Sequence, residues 1–279
     1  MPDCGPRLRR EASRQASGGQ NPGLYLMVEI IVRNIDRIKQ VISALRAVTG
    51  ESQREITIVA VTKGRTVEQI KEVIAQGIAG IGENRVQEAL VKYNALPGPR
   101  YAMRLNPALS SLKESSSDDR KGGVKWHMIG HLQTNKVKEA VRIFDLIQSV
   151  DSPRLAQAIS KEAGKINKQQ DILLEVQTSP EKSKFGLKPQ EIPEVFKEIS
   201  CLPHLEVKGL MTIAPFTDNP ETSRPYFKML RELSEKIDWR RETTHRGPIL
   251  SMGMSGDFAV AIEEGANMIR LGRVIFSHP

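Results

Sequence analysis

The stretch "IVAVTKGRTVEQI" (residues 58–70) ends an apolar strand on Lys63 and turns at once into a helix. A surface lysine leaning out from a strand end is the ordinary reading of such a residue. A lysine shielded by apolar walls loses its proton more readily and attacks a carbonyl carbon, as a Schiff-base lysine must. That chemistry needs an aldehyde nearby and an anion site to anchor it. "SMGMSGD" (251–257) ends another apolar run in small residues before a helix, so that backbone N–H groups and the Ser255 hydroxyl can face a phosphate. "RLGR" (270–273) repeats the arrangement, with Gly272 for close approach and Arg273 for charge. Singly, these small residues are common turn formers; together they make an anion site.

Arg270 alternates to the same side as Gly272. It either pairs with a carboxylate or faces a pyridine nitrogen, where its permanent charge keeps that nitrogen unprotonated and limits the ring as an electron sink. His127 and His131 flank "MIG" (128–130). His131 reads as a structural histidine, whereas His127 is open between a structural and a ligand-facing role. Neither sits in a metal-ligating constellation. The ends of the apolar runs, in order, are Lys63; Gly82, Glu83 and Asn84; His127 to His131; Thr178; Met211 and Thr212; Ser251, Gly253, Met254 and Ser255; and Arg270 to Arg273.

These residues meet only if the runs are parallel strands whose C-terminal ends share one mouth. Eight such runs occur, at 56–63, 78–82, 125–130, 146–150, 171–178, 207–213, 249–255 and 268–276, with segments of helical period between them. An amphipathic helix from Val28 to about Ala47 precedes the first. Helix starts are marked by Thr66 with Gln69, by Asn84 with Gln87, and by Pro153 after Asp151 and Ser152; Gly77 and Gly265 mark helix ends. The pattern predicts an α/β fold, a single (β/α)8 TIM barrel. The rival is a doubly wound sheet, but "GIGENR" (80–85) has Arg85 where a dinucleotide fingerprint needs its third glycine, and no Walker A pattern occurs.

Of the 279 residues, 39% are hydrophobic and 27% charged, enough for a core without staples. Two cysteines, Cys4 and Cys201, and no zinc-type spacing point to a reducing cytoplasm and no metal. No window approaches a membrane span, and a secretory h-region is lacking. Residues 1–26 are expected to be a disordered extension, with Met27 a candidate start and a transit peptide the alternative. Residues 27–279 form the barrel, with a mobile insert at 97–124 on its N-terminal rim.

The net charge of +8 invites a nucleic-acid reading. Residues 1–26 hold four arginines against two acids, and residues 97–125 hold six Lys or Arg against three acids, so more than half of the excess sits in two irregular segments. With no recognition motif and 5% aromatic residues, no specific nucleic-acid binding is expected.

The stretches "VAVTK" (59–63), "GENRVQE" (82–88), "WHMIGHLQTNK" (126–136), "IQSVDS" (147–152), "KSKFGL" (182–187), "GLMTI" (209–213), "LSMGMSGDFAVAI" (250–262) and "IRLGRVIF" (269–276) resemble the pyridoxal phosphate homeostasis protein family, relatives of the N-terminal barrel of alanine racemase. The resemblance implies pyridoxal 5′-phosphate held as a Schiff base on Lys63. It implies phosphate contacts from Ser255, the Met254 backbone, Gly272 and Arg273, Arg270 toward the pyridine nitrogen, and Asn84 and His127 near the pocket. Met211, Ser251 and Gly253 are counted with them as cofactor-binding candidates. Arg273 stands where relatives usually carry a small hydroxyl residue, which alters the phosphate site. No catalytic residue is assigned: the implied role is a carrier of the cofactor in vitamin B6 and amino-acid homeostasis, with cofactor-dependent client enzymes as partners. The alternative is an amino-acid racemase, which needs an acid/base on each face of the substrate carbanion. None of Tyr25, Tyr93, Tyr101 and Tyr226 lies at a strand end, and no second domain follows. A monomer is expected.

Overall fold

A computed structural model describes residues 22–50, 54–96, 123–179, 185–239 and 248–278. Eight parallel strands close into a barrel in chain order, β1 pairing with both β2 and β8. They are β1 (Thr57–Val61), β2 (Gly80–Glu83), β3 (Lys125–Met128), β4 (Leu146–Val150), β5 (Gln170–Glu175), β6 (Leu205–Met211), β7 (Ile249–Ser251) and β8 (Met268–Leu271). All eight expected strands are present, and most end earlier than their apolar runs. The helices among the described residues are α1 (Pro22–Val48), α2 (Val67–Ala75), α3 (Val86–Ala95), α4 (Val137–Ile143), α5 (Pro153–Gly164), α6 (Ile192–Ser200), α7 (Arg224–Glu235), α8 (Phe258–Glu263) and α9 (Arg273–Phe276).

Strand alternation sorts the apolar residues into two cores. Val59, Leu146, Leu173, Met211 and Met268 pack inside the barrel, while Ala60, Ile81, Met128, Ile147, Leu174 and Ile269 join the larger layer between sheet and helices. Ile31, Ile35, Ile38 and Ile42 bury one face of α1 in that layer. Asn34 Nδ2 ties α1 to the end of the chain through the carbonyls of Ile275 and Ser277, at 3.1 and 2.9 Å.

Three local expectations hold. Thr66 and Gln69 form the capping box of α2, Ser152 caps α5 with Pro153 in its first turn, and Gly77 and Gly265 follow helix ends with φ of 84° and 105°.

Three others need correction. Helix α1 starts at Pro22, so residues 22–26 belong to it rather than to an irregular extension; proline's fixed φ suits a first helical turn. Residues 1–21 and most of the 97–124 insert lie outside the described residues. Asn84 does not cap α3, whose N-cap is Arg85 with no side-chain bond. Asn84 instead continues past β2 against the end of β3, so close that a Cβ on Gly130 would lie 2.5 Å from its carbonyl oxygen. Helical structure after β3 begins at Thr134 rather than His131.

Candidate functional site

Above the inner apolar layer, the strands turn polar together. His127, Gln148, Ser251 and Arg270 are buried there and joined in one hydrogen-bonded chain. Arg270 NH1 donates to Ser251 Oγ at 2.6 Å, Ser251 Oγ to Gln148 Oε1 at 2.7 Å, and Gln148 Nε2 lies 3.0 Å from His127 Nδ1. A guanidinium can only donate, so the chain has a fixed direction. Gln148 must present its amide N–H to the imidazole, which places the ring proton on Nε2. Burial depresses the His127 pKa to about 4, Asp145 opposing and Lys125 adding to the effect, so the ring is neutral at physiological pH.

Arg270 also donates to the Thr212 carbonyl at 2.8 Å. Burial lowers its pKa to about 10 while Glu175 and Asp257 hold it up, so it stays a cation at neutral pH. Among the described residues it makes no ion pair within 4.0 Å, so of its two sequence readings the direct carboxylate partner is not the one realised. Glu175, at the end of β5, is also buried. Burial first and the neighbouring Asp151 second push its carboxyl up to about 7 against the pull of Arg270.

Past β7 and β8, backbone donors gather. The N–H groups of Gly272 and Val274 both donate to Ser255 Oγ at 3.3 Å, and Met254 N–H donates to Asp257 Oδ1 at 2.6 Å. Gly253 has φ of 89°, and a Cβ there would come within 2.6 Å of Ala261 Cβ, so only glycine suits the turn. At Gly272 a Cβ would lie 3.3 Å from Val61 Cβ, which sets this loop against the strand that carries Lys63. Ser255 and Arg273 also line a groove of about 630 Å³ with Asn34 and Arg37 of α1.

Lys63 lies two residues beyond β1 in a turn and is exposed, so the apolar shielding expected of it is not there. The strand ends once Thr62 has given its N–H to Gly82. The Arg273 guanidinium stacks 5.7 Å from the Phe216 ring on the loop after β6, rather than turning wholly to the anion loops. Met211 is fully buried in the inner apolar layer. Asn84 lines a separate cleft of about 420 Å³ with Met128, Gly130 and His131. His131 meets Asp151 at 3.1 Å and stacks on Phe185 with centroids 3.8 Å apart, consistent with its structural reading.

The structure thus joins His127, Ser251 and Arg270 in one chain of hydrogen bonds through Gln148, and gathers Met254, Ser255 and Gly272 in the loops after β7 and β8. Asn84 stands apart. Sequence reasoning missed Gln148, the link in the chain, and Glu175. Gln148 interrupts the apolar residues of "LIQSV" and Glu175 follows the apolar run "ILL", which was the available signal. Among the described residues no group of three or more His, Cys, Asp or Glu could hold a metal ion.

A parallel eight-stranded barrel with backbone N–H groups gathered in the loops after its last two strands defines the class. The chain matches the family model described as alanine racemase, N-terminal domain, over residues 33–278. It is 40% identical over 248 residues to the pyridoxal phosphate homeostasis protein of Aquifex aeolicus, covering 89% of this chain and 96% of that one. PipY of Synechococcus elongatus, solved with pyridoxal phosphate bound, is 30% identical with a TM-score of 0.64, covering 85% of this chain and 100% of PipY. Alanine racemase of Clostridium difficile shares the fold at 15% identity and a TM-score of 0.65; the match covers 89% of this chain and 59% of the racemase. The chain belongs to the pyridoxal phosphate homeostasis protein family.

Proposed function

We propose that this barrel binds pyridoxal 5′-phosphate covalently through Lys63 and serves as a carrier of the cofactor in vitamin B6 homeostasis. The observation that carries the reading is the donor set after β7 and β8. Backbone N–H groups of Gly272 and Val274 converge on the Ser255 hydroxyl oxygen, next to the strand that leads to Lys63. That set suits a phosphate ester. PipY, a relative at 30% identity, holds this cofactor in its solved structure.

When bound, pyridoxal 5′-phosphate supplies an aldehyde that condenses reversibly with a primary amine. Lys63 Nζ would be the amine of this chain, in the turn just after the neighbouring strand β1. Ser255, Gly272 and the Met254 backbone would hold the phosphate, with Arg273 adding charge. Arg270, a buried cation fixed by Ser251 and Thr212, would keep a proton off the ring nitrogen and so discourage carbanion chemistry. His127 and Gly253 would complete the walls, and Asn84, in its separate cleft, is left out of the site.

A carrier rather than a racemase is favoured by the tyrosines. Tyr25, Tyr93 and Tyr226 lie on α1, α3 and α7, away from the strand ends, and Tyr101 lies outside the described residues. The chain acts in the cytoplasm as a monomer, handing its cargo to dependent enzymes. Its exposed large apolar residues are spread over several elements, and no described helix is long and apolar enough to cross a membrane.

Borohydride reduction followed by peptide mapping tests the central claim. A cofactor adduct on Lys63, absent from Lys63→Ala, is expected; an adduct elsewhere in fully loaded protein overturns it. Robust formation of D-amino acids by the pure protein would overturn the carrier reading.

A further inference from the structure

We infer that Lys92, acting with Glu83 and Glu88, is the positioning device for Lys63. This rests on the reading of Lys63 as the cofactor's amine. Lys92 is a buried lysine on α3, and its ammonium has three donors, all used. They go to the Thr62 carbonyl at 2.5 Å, Glu83 Oε1 at 2.6 Å and Glu88 Oε1 at 2.6 Å. Two further bonds close the cluster. Thr62 Oγ1 donates to Glu83 Oε1 at 2.5 Å, and Gly64 N–H donates to Glu88 Oε1 at 2.6 Å.

The two peptide groups that flank Lys63 are therefore both held by one cluster. The carbonyl before it is bound by Lys92, and the N–H after it is bound by the carboxylate that Lys92 grips. Gly64 takes φ of 68° to allow this. Fixed on both sides, the Lys63 backbone keeps one orientation, and only its side chain remains free to search for the aldehyde. Lys92 itself is withdrawn from that chemistry, since every N–H it owns is engaged. A buried cluster of one cation and two carboxylates is a costly way to hold a turn, and Glu83 Oε2 is left buried without a partner. Positioning of the reactive amine is what the arrangement accomplishes.

The experiment compares full-length wild type, Lys92→Met and Glu88→Gln. Glu88 is partly exposed, so its variant keeps the fold if Lys92→Met does not, and it then decides the question alone. Three quantities are read: hydrogen exchange of the Gly64 amide without ligand, the rate of adduct formation on Lys63, and the affinity for pyridoxine 5′-phosphate, which has the same ring and phosphate but no aldehyde. In folded variants Gly64 should exchange faster and the adduct rate should fall about tenfold, while affinity for the alcohol changes by less than about twofold. An adduct rate equal to wild type overturns the inference. So does a matching loss of alcohol binding, which would mark a general structural role. A wild type with no adduct on Lys63 overturns the reading of Lys63 itself, and the positioning role with it.

Discussion

Glu175 and His127 titrate inside the same barrel mouth with opposite consequences. The Glu175 carboxyl is raised from 4.5 to about 7, so its contribution to stability is complete below pH 4.5 and is lost as pH rises through 7. His127 is lowered from 6.5 to about 4, so stability from its neutral ring is present above pH 6.5 and lost as pH falls through 4. Between about pH 4.5 and 6.5 the two slopes oppose each other, and denaturant unfolding of the wild type should vary little there from these groups. Glu175→Gln removes one of them. It should become more stable than wild type as pH rises, by roughly 3 kcal/mol above pH 7, and should expose the His127 slope below pH 6.5. Equal pH profiles for the two proteins would rule out the buried carboxyl as the source.

Backbone geometry fixes where the strands can carry side chains. In β6 the register shifts between Val207 opposite Ile172 and Gly209 opposite Leu173, leaving Lys208 as the extra residue. Gly209 then lies so near β7 that an added Cβ would sit 2.0 Å from the Ile249 carbonyl oxygen. Gly209→Ala should destabilise the barrel by more than about 3 kcal/mol, or prevent folding, as read by urea unfolding. At the helix ends the stakes are smaller: Thr66→Ala should cost about 1 kcal/mol in the same assay, through loss of the Gln69 N–H acceptor. Strand number and helix order were legible in the sequence because turn residues bound each apolar run. The failures came where contact beyond the segment decides. Asn84 looks like a cap until Gly130 packs on its backbone, and Glu88 with Lys92 reads as an ordinary i,i+4 surface pair until the turn after β1 buries the lysine. Lys63 was legible as a residue but not in its exposure.

Closure of the barrel in chain order places the starts of the strands on the rim opposite the strand ends that lead to Lys63, Ser255 and Gly272. Helix α3 ends and β3 begins on that opposite rim. Replacing residues 97–122 with a short Gly/Ser linker should therefore leave both the melting temperature and the Lys63 adduct at wild-type levels. It should also weaken any salt-sensitive retention on nucleic acid, since part of the excess positive charge goes with the segment. A lost adduct with an unchanged melt would place this connection at the mouth and refute the assignment of rims.

The donors at the anion loops are not idle. Met254 N–H has the Asp257 carboxylate, and Gly272 and Val274 share the Ser255 hydroxyl. On the proposed function, an arriving phosphate must displace acceptors the chain already owns, so its net gain is the difference between two acceptors rather than the whole of a new bond. Departure is eased for the same reason, because no N–H is stranded when the ligand leaves. For the carrier role proposed above, grip and release are thereby drawn closer together in free energy.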